Sequence, residues 1–149
     1  MLTLEKAVAE LQNGQWSQAI EILKQLPRSF QVCNIQGVAH QMSQDWFGAV
    51  SAWEEALRFN PQSEDVRLQL GIANVALGNK ERAEGYWLAI LEGNAHHVQS
   101  LINLGILYRE QERNIEAHGV WERALEILPT HPKVIEWLAD VKGAIGIGL

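Results

Sequence analysis

The sequence predicts an all-α fold of stacked antiparallel helix pairs, and three observations predict it. Residues 51–61, SAWEEALRFNP, return 68 residues later as GVWERALEILP (119–129), and halfway between them residues 85–95 give a blurred copy, GYWLAILEGNA. Several residue types keep the resulting period of 34: Gly37, Gly71 and Gly105, with Ala139 next; Ala49, Ala83 and Ala117; Trp53, Trp87 and Trp121. Within each period the apolar spacing is helical, as in Ala49, Trp53, Ala56 and Leu57, which lie along one face of a helix. A fixed period of this kind belongs to architectures in which one small unit stacks on the next, because no unit buries its apolar face alone.

The elements follow in chain order. Residues 1–29 form a degenerate unit whose NGQWSQAIEIL offers Gly14 as a turn and Ala19 as the opening of a second helix; Ala19 to Ala49 is 30 residues, four short of the period. Residues 30–63, 64–97 and 98–131 are full units of two helices each. In the second of these, Gly78 and Asn79 interrupt the helical pattern, ending one helix and offering an N-cap for the next. Pro61 and Pro129 stop the second helices of their units, since proline lacks a backbone donor and clashes with the preceding turn. Residues 132–149 begin with Pro132 and place Ala139 in the small-residue column, as one more first helix would. The count is four pairs and a final helix, joined by short turns that make neighbours antiparallel. The small residues let paired helices approach closely, and the tryptophans are expected to fill gaps between units.

These residues resemble the tetratricopeptide repeat family, whose pattern has a small residue in the first helix, an alanine opening the second, an aromatic four residues later, a further small residue and a closing proline. Gly37, Ala49, Trp53, Ala56 and Pro61 match it, as do Gly105, Ala117, Trp121, Ala124 and Pro129; the middle unit departs at Ile90 and Ala95. The resemblance implies one domain over residues 1–149, a right-handed superhelix with a C-terminal capping helix. It also implies a habit of binding protein partners along the groove lined by first helices. Carried over unit by unit, the groove positions are Asn34, Val38, Gln41 and Met42; Asp65, Leu68, Gln69, Ile72 and Val75; and Gln99, Ile102, Asn103, Ile106 and Arg109. Val75 and Met42 are the members expected to be core alone.

Composition narrows the function. The chain has 149 residues, 47% of them hydrophobic, and a formal charge of -6, which argues against a nucleic-acid partner because phosphate binding needs a basic surface. The opening MLTLEKAVAE carries charge at Glu5 and Lys6, unlike the apolar region of a signal peptide, and no run approaches a membrane span of roughly 20 apolar residues. The single cysteine, Cys33, excludes an internal disulfide and suits a reducing cytoplasm. The acids Glu54, Glu55, Glu81, Glu84 and Glu122 fall on second helices and read as a solvated outer face.

An enzyme finds little support. His96, His97 and His131 lack nearby sulfur or carboxylate ligands for a zinc site and read as surface turn residues, while Cys33 and His40 lie seven residues apart, two helical turns, too far for a nucleophile and base to share a hydrogen bond. The terminal GAIGIG has no strand before it or helix after it, as a phosphate-cradling loop would require. No catalytic residue, metal or cofactor is expected. The expected function is a non-enzymatic adaptor or chaperone-like module holding an apolar helix or extended peptide of another protein.

The acidic C-terminal tail of a chaperone, a partner class the family is known for, is not expected. Asn34, Val38, Gln69, Gln99 and Asn103 stand at the clamp positions without a lysine, so a buried carboxylate would lose hydration for no charge-assisted bond. The rival reading is a structural unit that assembles with copies of itself. Its support is the apolar last segment, PKVIEWLADVKGAIGIGL, whose tail from Gly143 to Leu149 is too glycine-rich for a helix and reads as a strip that caps the stack or docks on a second molecule.

Overall fold

The computed structural model describes residues 1–146 and, among them, nine helices and no strand. Backbone contacts divide the chain into two compact units, Met1–Ala83 and Glu84–Leu149. The first unit holds α1 (Leu4–Gln12), α2 (Trp16–Gln25), α3 (Phe30–Met42), α4 (Trp46–Phe59) and α5 (Glu64–Ala76), together with the start of α6 (Lys80–Gly93). The second holds the rest of α6, then α7 (Val98–Glu110), α8 (Asn114–Ile127) and α9 (Pro132–Ala144). Successive helices from α1 through α5 pack on one another, and α8 packs on both α7 and α9. The all-α class of sequential helix pairs is therefore the one the 34-residue period predicts.

One turn is used four times. Within the pairs α1/α2, α3/α4, α5/α6 and α7/α8 the residue in left-handed conformation is Gly14, Gln44, Gly78 or Glu112, with φ of 77°, 62°, 81° and 60°. The following amide, at Gln15, Asp45, Asn79 or Arg113, donates to the carbonyl of Glu10, His40, Asn74 or Tyr108, each at 2.8 Å. These bonds satisfy carbonyls that a helix end leaves without a partner. Starts of first helices are as regular. Ser29, Ser63, His97 and His131, spaced by 34, each accept a backbone amide three residues on, from Val32, Val66, Ser100 and Val134, at 3.2 to 3.3 Å. The two histidines do so through Nδ1, so the turn histidines of the sequence reading are N-caps.

The glycine column has a direct cause. A Cβ on Gly37 would fall less than 3.0 Å from Nε1, Cε2 and Cδ1 of Trp53, and one on Gly105 less than 3.0 Å from the same atoms of Trp121. Both indoles are fully buried. Trp53 and Trp121 thus lie on the glycine of their own helix pair, where the sequence led us to expect them between units. The first unit's fully buried residues also include Leu23, Val66 and Leu70, and the second's include Leu101, Leu104, Leu107 and Val134, all at most 2% exposed.

Three further expectations change. Met42, expected to be core, is 46% exposed because it closes α3 at the surface. Several acids of the second helices are paired rather than merely solvated: Arg28 grips Glu55 at 2.9 and 2.7 Å, Arg82 pairs with Glu54, and Arg113 grips Glu84 at 2.9 and 3.1 Å. At the C-terminus, α9 runs through Gly143 to Ala144, and Ile145 is its half-buried C-cap. The strip reading of the tail otherwise falls on Ile147 and Leu149, which lie outside the described residues.

Candidate functional site

The first unit contributes Asn34, Val38 and Gln41 from α3 and Leu68, Gln69 and Ile72 from α5, all half-buried. Helical spacing puts Val38 and Gln41 one turn apart, and Leu68 and Ile72 likewise. The two helices meet through amides: Gln41 Nε2 donates to Gln69 Oε1 at 3.3 Å, between residues 28 apart in the chain. Asn34 is differently occupied, since its Oδ1 accepts the Trp53 indole N–H at 3.1 Å. That bond satisfies the polar edge of a buried indole, so this amide serves the core. Val75 is half-buried, while Asp65 is exposed.

In the second unit α7 carries Ile102, Asn103, Ile106 and Arg109. Ile102 is 7% exposed and its carbonyl accepts the Trp121 indole N–H at 3.3 Å, which puts it with the core. Asn103 is half-buried and its Oδ1 accepts from the exposed Gln99 at 3.0 Å. Ile106 is half-buried and one turn before Arg109. The Arg109 guanidinium stands 5.6 Å from the ring centroid of Trp121 and 5.5 Å from that of Trp137 on α9, and the two indoles are 5.5 Å apart with a 31° tilt. Trp137 was absent from the sequence-derived groove. The 34-residue step from Asn103 leads to it, but the aromatic replaces an amide and hides the correspondence.

A second polar centre of this unit was not anticipated. Tyr108 donates its phenolic hydrogen to Glu84 Oε1 at 3.0 Å, Arg113 grips the same carboxylate, and the Arg113 guanidinium lies 4.3 Å from the Tyr108 ring centroid. Hydrogen bonding from Arg113 holds the Glu84 carboxyl below its ordinary range, and burial, reinforced by the bond to Glu84, pushes the Tyr108 phenol up to about 12. This network ties α6, α7 and the start of α8, and is structural. In the first unit Cys33 is buried beside Arg28, whose Nη2 is 3.2 Å from Sγ, and burial raises the thiol above its usual range. A thiol held in its neutral form is a poor nucleophile. Among the described residues no group of three or more His, Cys, Asp or Glu side chains converges as a metal site, and no helix is long and apolar enough to cross a membrane.

Known proteins share this fold. Residues 98–128 match the tetratricopeptide repeat family. These residues are similar to a tetratricopeptide repeat. The chain is 28% identical to the photosystem I assembly protein Ycf3 of Acaryochloris marina (strain MBIC 11017), over 75% of this chain and 78% of that protein. It is 27% identical to the human protein O-mannosyl-transferase TMTC1, over 64% of this chain but only 11% of the length of that protein. Among solved structures, MamA superposes with a TM-score of 0.87 at 16% identity, over 95% of this chain and 85% of that one. The first tetratricopeptide domain of Spaghetti (RPAP3), bound to the HSP90 peptide SRMEEVD, superposes with a TM-score of 0.73 at 16% identity, over 79% and 94%. At these identities the two structures speak for the fold alone.

Proposed function

We propose that this tetratricopeptide-repeat chain is a non-enzymatic interaction module, an adaptor or chaperone-like scaffold of the cytoplasm, that holds an apolar helix or extended segment of another protein against its first helices. The single-domain reading of residues 1–149 belongs to this proposal. The observation that carries it is the set of half-buried aliphatics Val38, Leu68 and Ile72 beside the Gln41–Gln69 amide pair. Aliphatic side chains left partly in water gain by being covered, and amides beside them fix the register of a bound backbone. In the second unit, Asn103, Ile106 and Arg109 of α7 offer a similar mix of aliphatic and polar groups, whereas Asn34 and Ile102 bond the core indoles of their own units. A repeat domain seen with a bound peptide, and a relative named for assembly, support the general reading.

The test compares two substitutions, one at a half-buried groove position and one on an exposed face, by affinity capture and mass spectrometry. Ile72→Asp should stay folded and lose a partner that the parent captures, while Phe47→Asp on α4, at a position 77% exposed, should keep it. A partner held equally by both variants, or lost by both, refutes the groove. Self-assembly is the second reading, favoured by α9, where Ala139 is exposed although its counterparts Gly37, Gly71 and Gly105 are buried, and where Ile135 is 46% exposed. Light scattering across a dilution series decides it: a mass that stays at 16.7 kDa excludes this reading.

A further inference from the structure

Arg109 has a chemistry that an apolar segment leaves unused. The arginines Arg28, Arg82 and Arg113 each meet a carboxylate, of Glu55, Glu54 and Glu84. Arg109, half-buried at the last turn of α7, instead meets two indole faces, and no carboxylate among the described residues reaches it. Stacking of this kind holds the plane of a guanidinium while leaving the N–H donors at its edge, and those donors match a carboxylate in a two-point bond. The surrounding indoles lower the local dielectric, which strengthens such a bond once made. The ordering entropy of the long side chain is already spent in the unbound protein.

We propose that Arg109 is a carboxylate-binding point, which takes the side chain of an aspartate or glutamate carried within the bound apolar segment. The proposal rests on the groove reading and adds a specificity element to it. Trp121 and Trp137, 5.5 Å apart and each about as far from the guanidinium, lie to one side of it, and its other side is the one the carboxylate takes. One guanidinium takes one carboxylate, which distinguishes this partner from a tail with a run of acids.

Nuclear magnetic resonance tests the point without knowledge of the partner. The probe is N-acetylglutamic acid α-amide, whose only carboxylate is on the side chain, followed through the Arg109 Nε–H and the Trp121 and Trp137 indole N–H signals. Saturable shifts of these three signals are expected in the folded parent, at least tenfold weaker apparent binding in Arg109→Lys, and none with the neutral N-acetylglutamine α-amide. Arg109→Lys keeps the charge without the planar fork, and a matched circular-dichroism spectrum and melt exclude unfolding as the cause. Arg109→Gln supplies a second folded variant, also expected to lose the shift. An equal response in Arg109→Lys, an equal response to the neutral amide, or no saturable shift in the parent overturns the proposal. So does saturation by N-acetylleucine, with its terminal carboxylate, in place of the side-chain probe. Ile72→Asp should leave this titration unchanged, so a failed groove and a failed carboxylate point give different results.

Discussion

The pairing of glycine and tryptophan predicts opposite outcomes for the same substitution at two helical glycines of the second unit. Gly119 is exposed on α8, and a Cβ there meets nothing within 4 Å. Alanine at an open helix position is favoured over glycine by about 1 kcal/mol, so Gly119→Ala should stabilise by about that amount. Gly105 receives the same helical gain, but its Cβ would press on three atoms of the Trp121 indole. That indole is fully buried, bonded to the Ile102 carbonyl and packed against Trp137, so it has little room to yield. Overpacking of a filled core costs about 1 to 3 kcal/mol, which leaves Gly105→Ala between neutral and about 2 kcal/mol destabilised.

The two alanine variants should therefore differ by about 1 to 3 kcal/mol, which for a small protein moves a urea midpoint by roughly 1 M. Far-UV circular dichroism through a urea series reads the difference directly. A double-mutant cycle with Trp121→Phe, which removes the indole edge, should show coupling of about 0.5 to 3 kcal/mol with Gly105→Ala and none with Gly119→Ala. Equal midpoints for the two alanine variants would refute the steric account of the glycine column.

Two further outcomes are expected. His97→Ala and His131→Ala should each cost about 0.5 to 2 kcal/mol in a chemical melt, with His97→Ser near parent stability because the same column uses Ser29 and Ser63 as caps. Of the two tyrosines, Tyr108, with its phenol pushed up to about 12, should ionise late in an absorbance titration at alkaline pH. Because the folded state raises that value above the ordinary one near 10, the associated stability is present below about pH 10 and lost as pH rises toward the folded value. Tyr108→Phe should remove the late phase. The depressed Glu84 carboxyl acts in the opposite sense, its contribution present above about pH 4 and lost on acidification, so Glu84→Gln should flatten the acid side of the stability profile.

What the sequence displays and what it hides follow from one geometric fact. A repeated backbone returns the same neighbours at the same step, so positions under a backbone demand repeat and were legible: the glycine beneath an indole, the alanine at a helix crossing, the period itself. The N-cap column Ser29, Ser63, His97 and His131 repeats in the same way, but the change from hydroxyl to imidazole concealed it. Side-chain pairs obey a weaker rule. Residues 27 to 29 apart on neighbouring second-helix regions come together as Arg28–Glu55, Glu54–Arg82 and Glu84–Arg113, with the order of charge reversing after the first. The fold supplies the proximity and either sign order satisfies it, so no periodic charge pattern is left to read. The groove suffers the same loss. Whether Asn34 faces a ligand or the Trp53 indole turns on a rotamer, and whether Ile102 or Asn103 faces outward turns on the roughly 100° between successive helical residues. Arg109 was placed in the groove by its position in the repeat, but its stacking depends on Trp137, where a non-repeating aromatic stands on a helix that the period alone would have filled with anything apolar or polar. A reading that finds the fold by periodicity is thus least informative at the residues that break the period, and those are the positions where the proposed site differs from repeat to repeat.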